Sequence, residues 1–162
     1  VTDRPDLRSQ LRLVMVGEGP LRVQAIDILK TAGMAELAWM PGERNDVGDI
    51  MRGLHAFVLP SLAEGISNTI LEAMSSCLPV VATAVGGNAD LVADGETGFI
   101  VPVANPQALA QKLVLLATDQ ALSRALGMAG RERVLSRFSM KAMVSTYQHV
   151  YDEQLRRVNF TN

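Results

Sequence analysis

Three features predict an α/β domain built on a doubly wound, Rossmann-like parallel sheet with helices on both faces. Short apolar runs recur along the chain, each ended by glycine or proline. Between them lie segments whose apolar residues repeat at helical spacing. The 162 residues are 48% hydrophobic and 20% charged, which supplies one core and excludes a disordered chain. Strands alternating with helices pair in parallel, because the intervening helix provides the crossover.

Leu11–Val16 reads Leu-Arg-Leu-Val-Met-Val and stops at Gly17-Glu-Gly-Pro20, the pattern of a buried parallel strand entering a turn. Leu21, Ala25, Ile28, Leu29 and Ala32 then keep helical spacing up to Gly33. A second strand is expected over Glu36–Met40, stopped by Pro41-Gly42. Asp46 stands where it can cap a short helix carrying Val47, Ile50, Met51 and Leu54. Ala56–Leu59 is the next strand, ended by Pro60, and the polar loop Ser61–Asn68 leads to a helix over Thr69–Ser76. Pro79–Thr83 reads as a strand, Gly86-Gly87 as a turn and Asn88–Ala93 as a short helix. The turn Asp94–Gly98 precedes a last strand, Phe99–Val101. Helices over Pro106–Thr118, Leu122–Arg137 and Met140–Arg156 close the domain. No repeat or linker divides the chain, so residues 1–162 read as one domain with a frayed end at Val158–Asn162.

Composition removes several functions. A net charge of −2 argues against a broad basic surface and hence against nucleic-acid binding. One cysteine, Cys77, allows neither an internal disulfide nor a Cys-cluster zinc site, and His55 and His149 form no metal motif. No apolar run is long enough for a transmembrane segment, and the start has no signal-peptide pattern. A cytoplasmic location is the expectation.

In open α/β sheets, ligands meet the carboxyl ends of the strands, where turns and helix N-termini converge. Gly17–Leu21, Ser61–Asn68 and Thr83–Gly87 have the composition of such turns. Glu64 lies in the middle one, and Glu72 follows within the next helix, near its first turn if Ser67 or Asn68 is the cap. Both carboxylates can then face one ligand, and the amides of Gly65–Thr69 suit a phosphate oxygen. Taken alone, such carboxylates are usually solvated or merely favour the helix dipole.

The context alters that balance. Glu64-Gly-Ile-Ser-Asn-Thr-Ile-Leu-Glu72-Ala-Met, followed by Pro79-Val-Val-Ala and Val85-Gly-Gly87, resembles the donor-site signature of family 4 retaining glycosyltransferases of GT-B fold. Val16-Gly-Glu-Gly-Pro20, Leu91-Val-Ala-Asp-Gly-Glu-Thr-Gly98 and Arg137-Phe-Ser-Met-Lys-Ala-Met143 are similar to flanking stretches of the same family. The resemblance runs from about Arg12 to Leu155. Ile66-Ser67 replaces the aromatic-Pro or aromatic-Gly pair common in the family after Glu-Gly, a variant similar to sugar transferases of bacterial exopolysaccharide and exosortase systems.

The resemblance implies the C-terminal, donor-binding half of an enzyme that transfers a sugar from a nucleotide-sugar with retention. It further implies that the acceptor domain, and a strand–helix unit carrying the Arg and Lys that clamp the diphosphate, are missing from this stretch. Arg4, Arg8 and Arg12 do not match that unit. A fragment of this kind is expected to bind donor weakly, to be inactive alone and to self-associate through uncovered apolar surface. Peripheral membrane association of the full-length protein is compatible with the resemblance.

By correspondence, Glu64 is the catalytic residue, meeting sugar hydroxyls and charge at the anomeric carbon. Donor-binding positions are Gly17, Gly19, Pro41, Gly42, Gly65, Ile66, Ser67, Asn68, Thr69, Leu71 and Glu72. Among them Glu72 is the acceptor for the ribose hydroxyls, and Pro41-Gly42 meets the base. No cofactor and no metal are implied. A GT-B nucleotide-sugar epimerase and a non-catalytic nucleotide-binding module are the alternatives.

Plain readings hold elsewhere. Cys77 stands at a usual glycine position and reads as a small buried hydrophobe, strained by about 1 kcal/mol if its backbone is left-handed. Trp39 reads as a packing residue, the eight methionines as core gap-fillers and His149 as exposed.

Overall fold

A computed structural model describes residues 4–159, and among them the strands lie in two parallel sheets, one of two strands and one of three. The chain divides correspondingly into two compact units between Ile50 and Met51.

The first unit contains α1 (Pro5–Arg8), β1 (Leu13–Val16), α2 (Arg22–Thr31), a 3₁₀ turn at Ala35–Leu37 and β2 (Ala38–Gly42). Helix α1 was not expected; a proline at its start supplies the φ of a first turn. β1 and β2 pair in parallel, Leu13 opposite Ala38 and Val16 opposite Gly42. The expected stop at Pro41-Gly42 is therefore corrected: both residues belong to β2. Its single neighbour is β1, so the missing proline N–H is tolerated there. β1 is also not the buried strand anticipated, since Leu13, Met15 and Val16 are each 37–38% exposed. Trp39 is half exposed, with Arg44 over its ring at 6.0 Å, rather than packed inside.

Helix α3 (Val47–Arg52) carries the boundary between the units. Asp46 precedes it: its C=O accepts from the Asp49 and Ile50 N–H groups, at 3.0 and 3.1 Å, and its carboxylate is held by Arg44, at 2.8 and 2.5 Å.

The second unit contains β3 (Phe57–Leu59), α4 (Asn68–Ser75), β4 (Val80–Thr83), α5 (Asn88–Leu91) and β5 (Gly98–Val101). Then come α6 (Pro106–Thr118), α7 (Gln120–Arg133), a π-helical turn at Val134–Phe138 and α8 (Met140–Asn159). Of the expected frayed end, residues 160–162 lie outside the described residues. The sheet order is β3-β4-β5, all parallel. All four residues of β4 are buried, and successive side chains point to opposite faces, so both faces of this strand are covered. Val81 joins Phe99, Val101, Leu116 and Leu126 in one cluster. Helix α4, with Ile70, Ala73 and Met74 buried, packs on β3 and β4.

Capping explains the helix limits. The Asn105 side chain accepts from the Ala108 N–H, and that of Asp119 from the Leu122 N–H, which starts α7 earlier than its apolar spacing indicates. α4 ends in a Schellman motif: Cys77 N–H bonds to Met74 C=O and Leu78 N–H to Ala73 C=O, both at 3.0 Å. Cys77 is the residue turned left-handed, at φ 59°, and its side chain is exposed, not buried. Arg131 and Arg133 reach from α7 to carbonyls at the ends of α4 and α5. Of the methionines, only Met51 and Met74 are buried among the described residues, so the gap-filling reading holds for those two.

Candidate functional site

The candidate residues fall into two groups, one in each unit, and the groups are described separately. In the first, Gly17 and Gly42 come together where the strands end: the Gly17 N–H donates to the Gly42 C=O at 2.8 Å. Arg22 donates to the Met40 C=O at 2.7 Å and lies 3.4 Å from the Glu18 carboxylate, tying the turn to the end of β2. Gly17 and Gly19 are exposed, Pro41 is half-buried and Gly42 is buried.

In the second unit the loop after β3 carries Glu64 and runs into α4. Glu64 is half-buried, and its Oε1 accepts a hydrogen bond from Ser61 Oγ at 2.6 Å. The loop is braced from the next turn. The Gly87 N–H donates to the Gly65 C=O at 2.7 Å, and Gly86 sits directly against the Glu64 carbonyl. A Cβ at Gly86 would overlap that oxygen, and its φ of 50° is left-handed as well. Only glycine meets both conditions at low cost.

Ser67 is the N-cap of α4, buried, with its Oγ 2.9 Å from Thr69 Oγ1 and no side-chain bond to the helix amides. The first-turn N–H groups are thus left without a side-chain cap. That is the arrangement in which a helix N-terminus offers donors and partial positive charge to an anion. Gly65, Ile66, Asn68 and Thr69 are exposed around it, Ile66 by 71%. Leu71 is half-buried, on the side of the helix that meets the core.

Glu72 lies where its spacing from the cap puts it, just beyond the first turn of α4. Helix α4 begins at Asn68, so Glu72 lies on its second turn, about 6 Å along the axis from the first residue. Its carboxylate is exposed and has no hydrogen-bond or ion-pair partner among the described residues. Ile70, Ala73 and Met74 take the buried side, leaving Glu72 on the face shared with Asn68 and Thr69.

Ser61, Thr83 and Asn88 were missed as site residues. Thr83 Oγ1 donates to the Ser61 C=O at 2.6 Å, and Asn88 Nδ2 donates to the Thr83 C=O at 3.1 Å. A serine just after a strand-ending proline and three residues before Glu64 was the available signal. His149 is exposed, 3.5 Å from Glu153, and is not part of either group. Among the described residues no three His, Cys, Asp or Glu side chains gather as a metal site, and no helix is long and apolar enough to cross a membrane.

Known proteins place this geometry in context. Residues 2–119 match the family described as "Glycosyl transferases group 1". The N-acetyl-alpha-D-glucosaminyl L-malate synthase of Bacillus anthracis is 28% identical over 145 residues, covering 90% of this chain and 38% of that protein. The C-terminal domain of a glycosyl transferase group 1 family protein (LpcC) from Francisella tularensis is 27% identical, with a TM-score of 0.74 over 80% of this chain and 70% of that one. HepE of Anabaena, solved in complex with UDP, has a TM-score of 0.80 at 21% identity, over 89% of this chain and 41% of its own, a likeness of fold. The chain spans well under half the length of the curated relatives it matches.

Proposed function

The chain belongs to the group 1 glycosyl transferases, and we propose that it is the donor-binding part of an enzyme that transfers a sugar from a nucleotide-sugar with retention of configuration. The observation that carries this reading is the pairing of a held carboxylate with an uncapped helix N-terminus. Glu64 is fixed by Ser61 in the loop that opens α4, and Glu72, without a side-chain partner among the described residues, follows one turn in.

In this reading the donor diphosphate lies at the start of α4, where N–H groups and the helix dipole neutralise part of its charge. Glu72 accepts from two adjacent ribose hydroxyls, a geometry that two carboxylate oxygens suit. Glu64 meets the sugar. As the bond from the anomeric carbon to the diphosphate breaks, positive charge grows on the ring, and a carboxylate already in place stabilises it without reorganising. The nucleoside diphosphate leaves with the acceptor's proton, and the acceptor oxygen bonds to the anomeric carbon. The acceptor is taken to be bound by another part of the full-length protein. No metal has a step in this scheme.

Amide NMR titration with millimolar UDP, GDP and ADP, then with their glucose conjugates, tests the reading. UDP is the first to try, since a protein of the same fold was solved with it. Shifts confined to residues 64–72 and 84–87 are expected. Glu72→Ala should then weaken nucleotide binding by roughly tenfold while the melting temperature stays unchanged. Unchanged affinity removes Glu72 from the site.

A further inference from the structure

Glu64 does not stand alone in its loop. Its Oε1 receives the Ser61 hydroxyl at 2.6 Å, a charge-assisted bond if the carboxylate is ionised. The backbone of Ser61 is fixed in turn, because its carbonyl accepts from Thr83 Oγ1 at 2.6 Å. Thr83 is the last residue of β4 and is 3% exposed, so its hydroxyl cannot turn to water instead. The Thr83 carbonyl accepts from Asn88 Nδ2, and Asn88 is completely buried at the start of α5. A polar chain thus runs from the interior to the loop: Asn88, Thr83, Ser61, Glu64. The Gly86–Gly87 turn holds the backbone of the same loop at Glu64 and Gly65.

We propose that Ser61 is a positioning residue for Glu64, holding its carboxylate toward the donor sugar through a hydrogen bond that Thr83 and Asn88 anchor in the core. The proposal rests on the donor-site reading above. Its chemical content is a division of labour within one carboxylate: Oε1 is taken by Ser61, and Oε2 is left to accept from a sugar hydroxyl. A glutamate without such a partner would have to be ordered by the ligand itself, at the ligand's expense in affinity.

The test compares two ligands on the same chain, so that a general loss of structure is separated from a loss of aim. Dissociation constants for a nucleoside diphosphate and its glucose conjugate, chosen from UDP, GDP and ADP, are measured for wild type, Ser61→Ala, Ser61→Thr, Thr83→Val and Glu64→Gln. Melting temperatures are recorded beside them. Ser61→Ala should leave nucleotide affinity within twofold and lower that for the glucose conjugate about tenfold. Ser61→Thr, which keeps the hydroxyl, should restore it. Thr83→Val should shift the ratio of the two constants in the same direction by less. A structural role alone would weaken both ligands together and leave the ratio where it was. If Glu64→Gln lowers the ratio and Ser61→Ala does not, the proposal is overturned while the donor site stands. If no ligand moves the wild-type amides, the donor reading falls and the proposal falls with it.

Discussion

Strands β1 and β4 read alike, Leu-Val-Met-Val and Val-Val-Ala-Thr, yet the two units treat them differently. β4 has a parallel neighbour on each side and helices against it, and its first three residues are 0% exposed. β1 has one neighbour, and three of its four residues remain more than a third exposed. The contrast extends through the units. Helix α2 buries no residue, and Gly42 is the only buried residue among those described before Met51. An apolar run therefore specifies a strand but not its burial. Burial depends on how many layers the rest of the chain brings to it.

The sharpest way to break this comparison is to delete equivalent apolar mass from each unit. Leu126→Ala, in the cluster around Val81, should cost about 2–5 kcal/mol in denaturant unfolding. Ile28→Ala, on the exposed face of α2, should stay within about 0.5 kcal/mol. Equal losses would mean that the first unit is covered as thoroughly as the second. A smaller effect is expected where α7 crosses the end of α4. A Cβ at Gly127 would overlap the Cys77 carbonyl, so Gly127→Ala should cost about 1–3 kcal/mol, read as a lower melting temperature.

Cys77→Gly acts in the opposite sense at the same place. The left-handed backbone at Cys77 suits glycine, so about 1 kcal/mol of stabilisation is expected, and a clear fall in melting temperature would contradict the strain. The smallest effect belongs to the first unit. The Arg44 hydrogen bonds hold the Asp46 carboxyl below the ordinary aspartate range. Because the folded value is the lower one, this pair stabilises above the unfolded aspartate pKa and is lost as pH falls through the folded value. Both side chains are exposed, so Arg44→Ala should lower stability at neutral pH only slightly, and the difference should vanish as pH falls through the folded value. An NMR titration of Asp46 in both proteins checks the direction.

The second unit was the more legible of the two. The helix over Pro106–Thr118 is found with those bounds, because Asn105 and Pro106 are local start signals and Asp119 a local stop. Glu64, Gly65 and the start of α4 were legible for a similar reason: turn, cap and helix chemistry is written within a few neighbouring residues. Ser61 was not legible as a partner of Glu64, since its bond depends on how the loop folds back. Thr83 and Asn88 were still less so, being 22 and 5 residues from the groups they hold. Cys77 shows the same limit, because its identity implies burial and the Schellman turn places it outside.

Local patterning determined the alternation of strands and helices, the parallel class of the sheets and the position of the loop that carries Glu64. Each rests on spacing, glycine and proline punctuation and capping, which act over one or two turns of chain. Three-dimensional packing settled the division into two sheets, the exposure of β1 and Trp39, and the polar line behind Glu64. These depend on which distant segments supply a neighbour, a covering layer or a hydrogen-bond partner, and no short stretch of sequence carries that information.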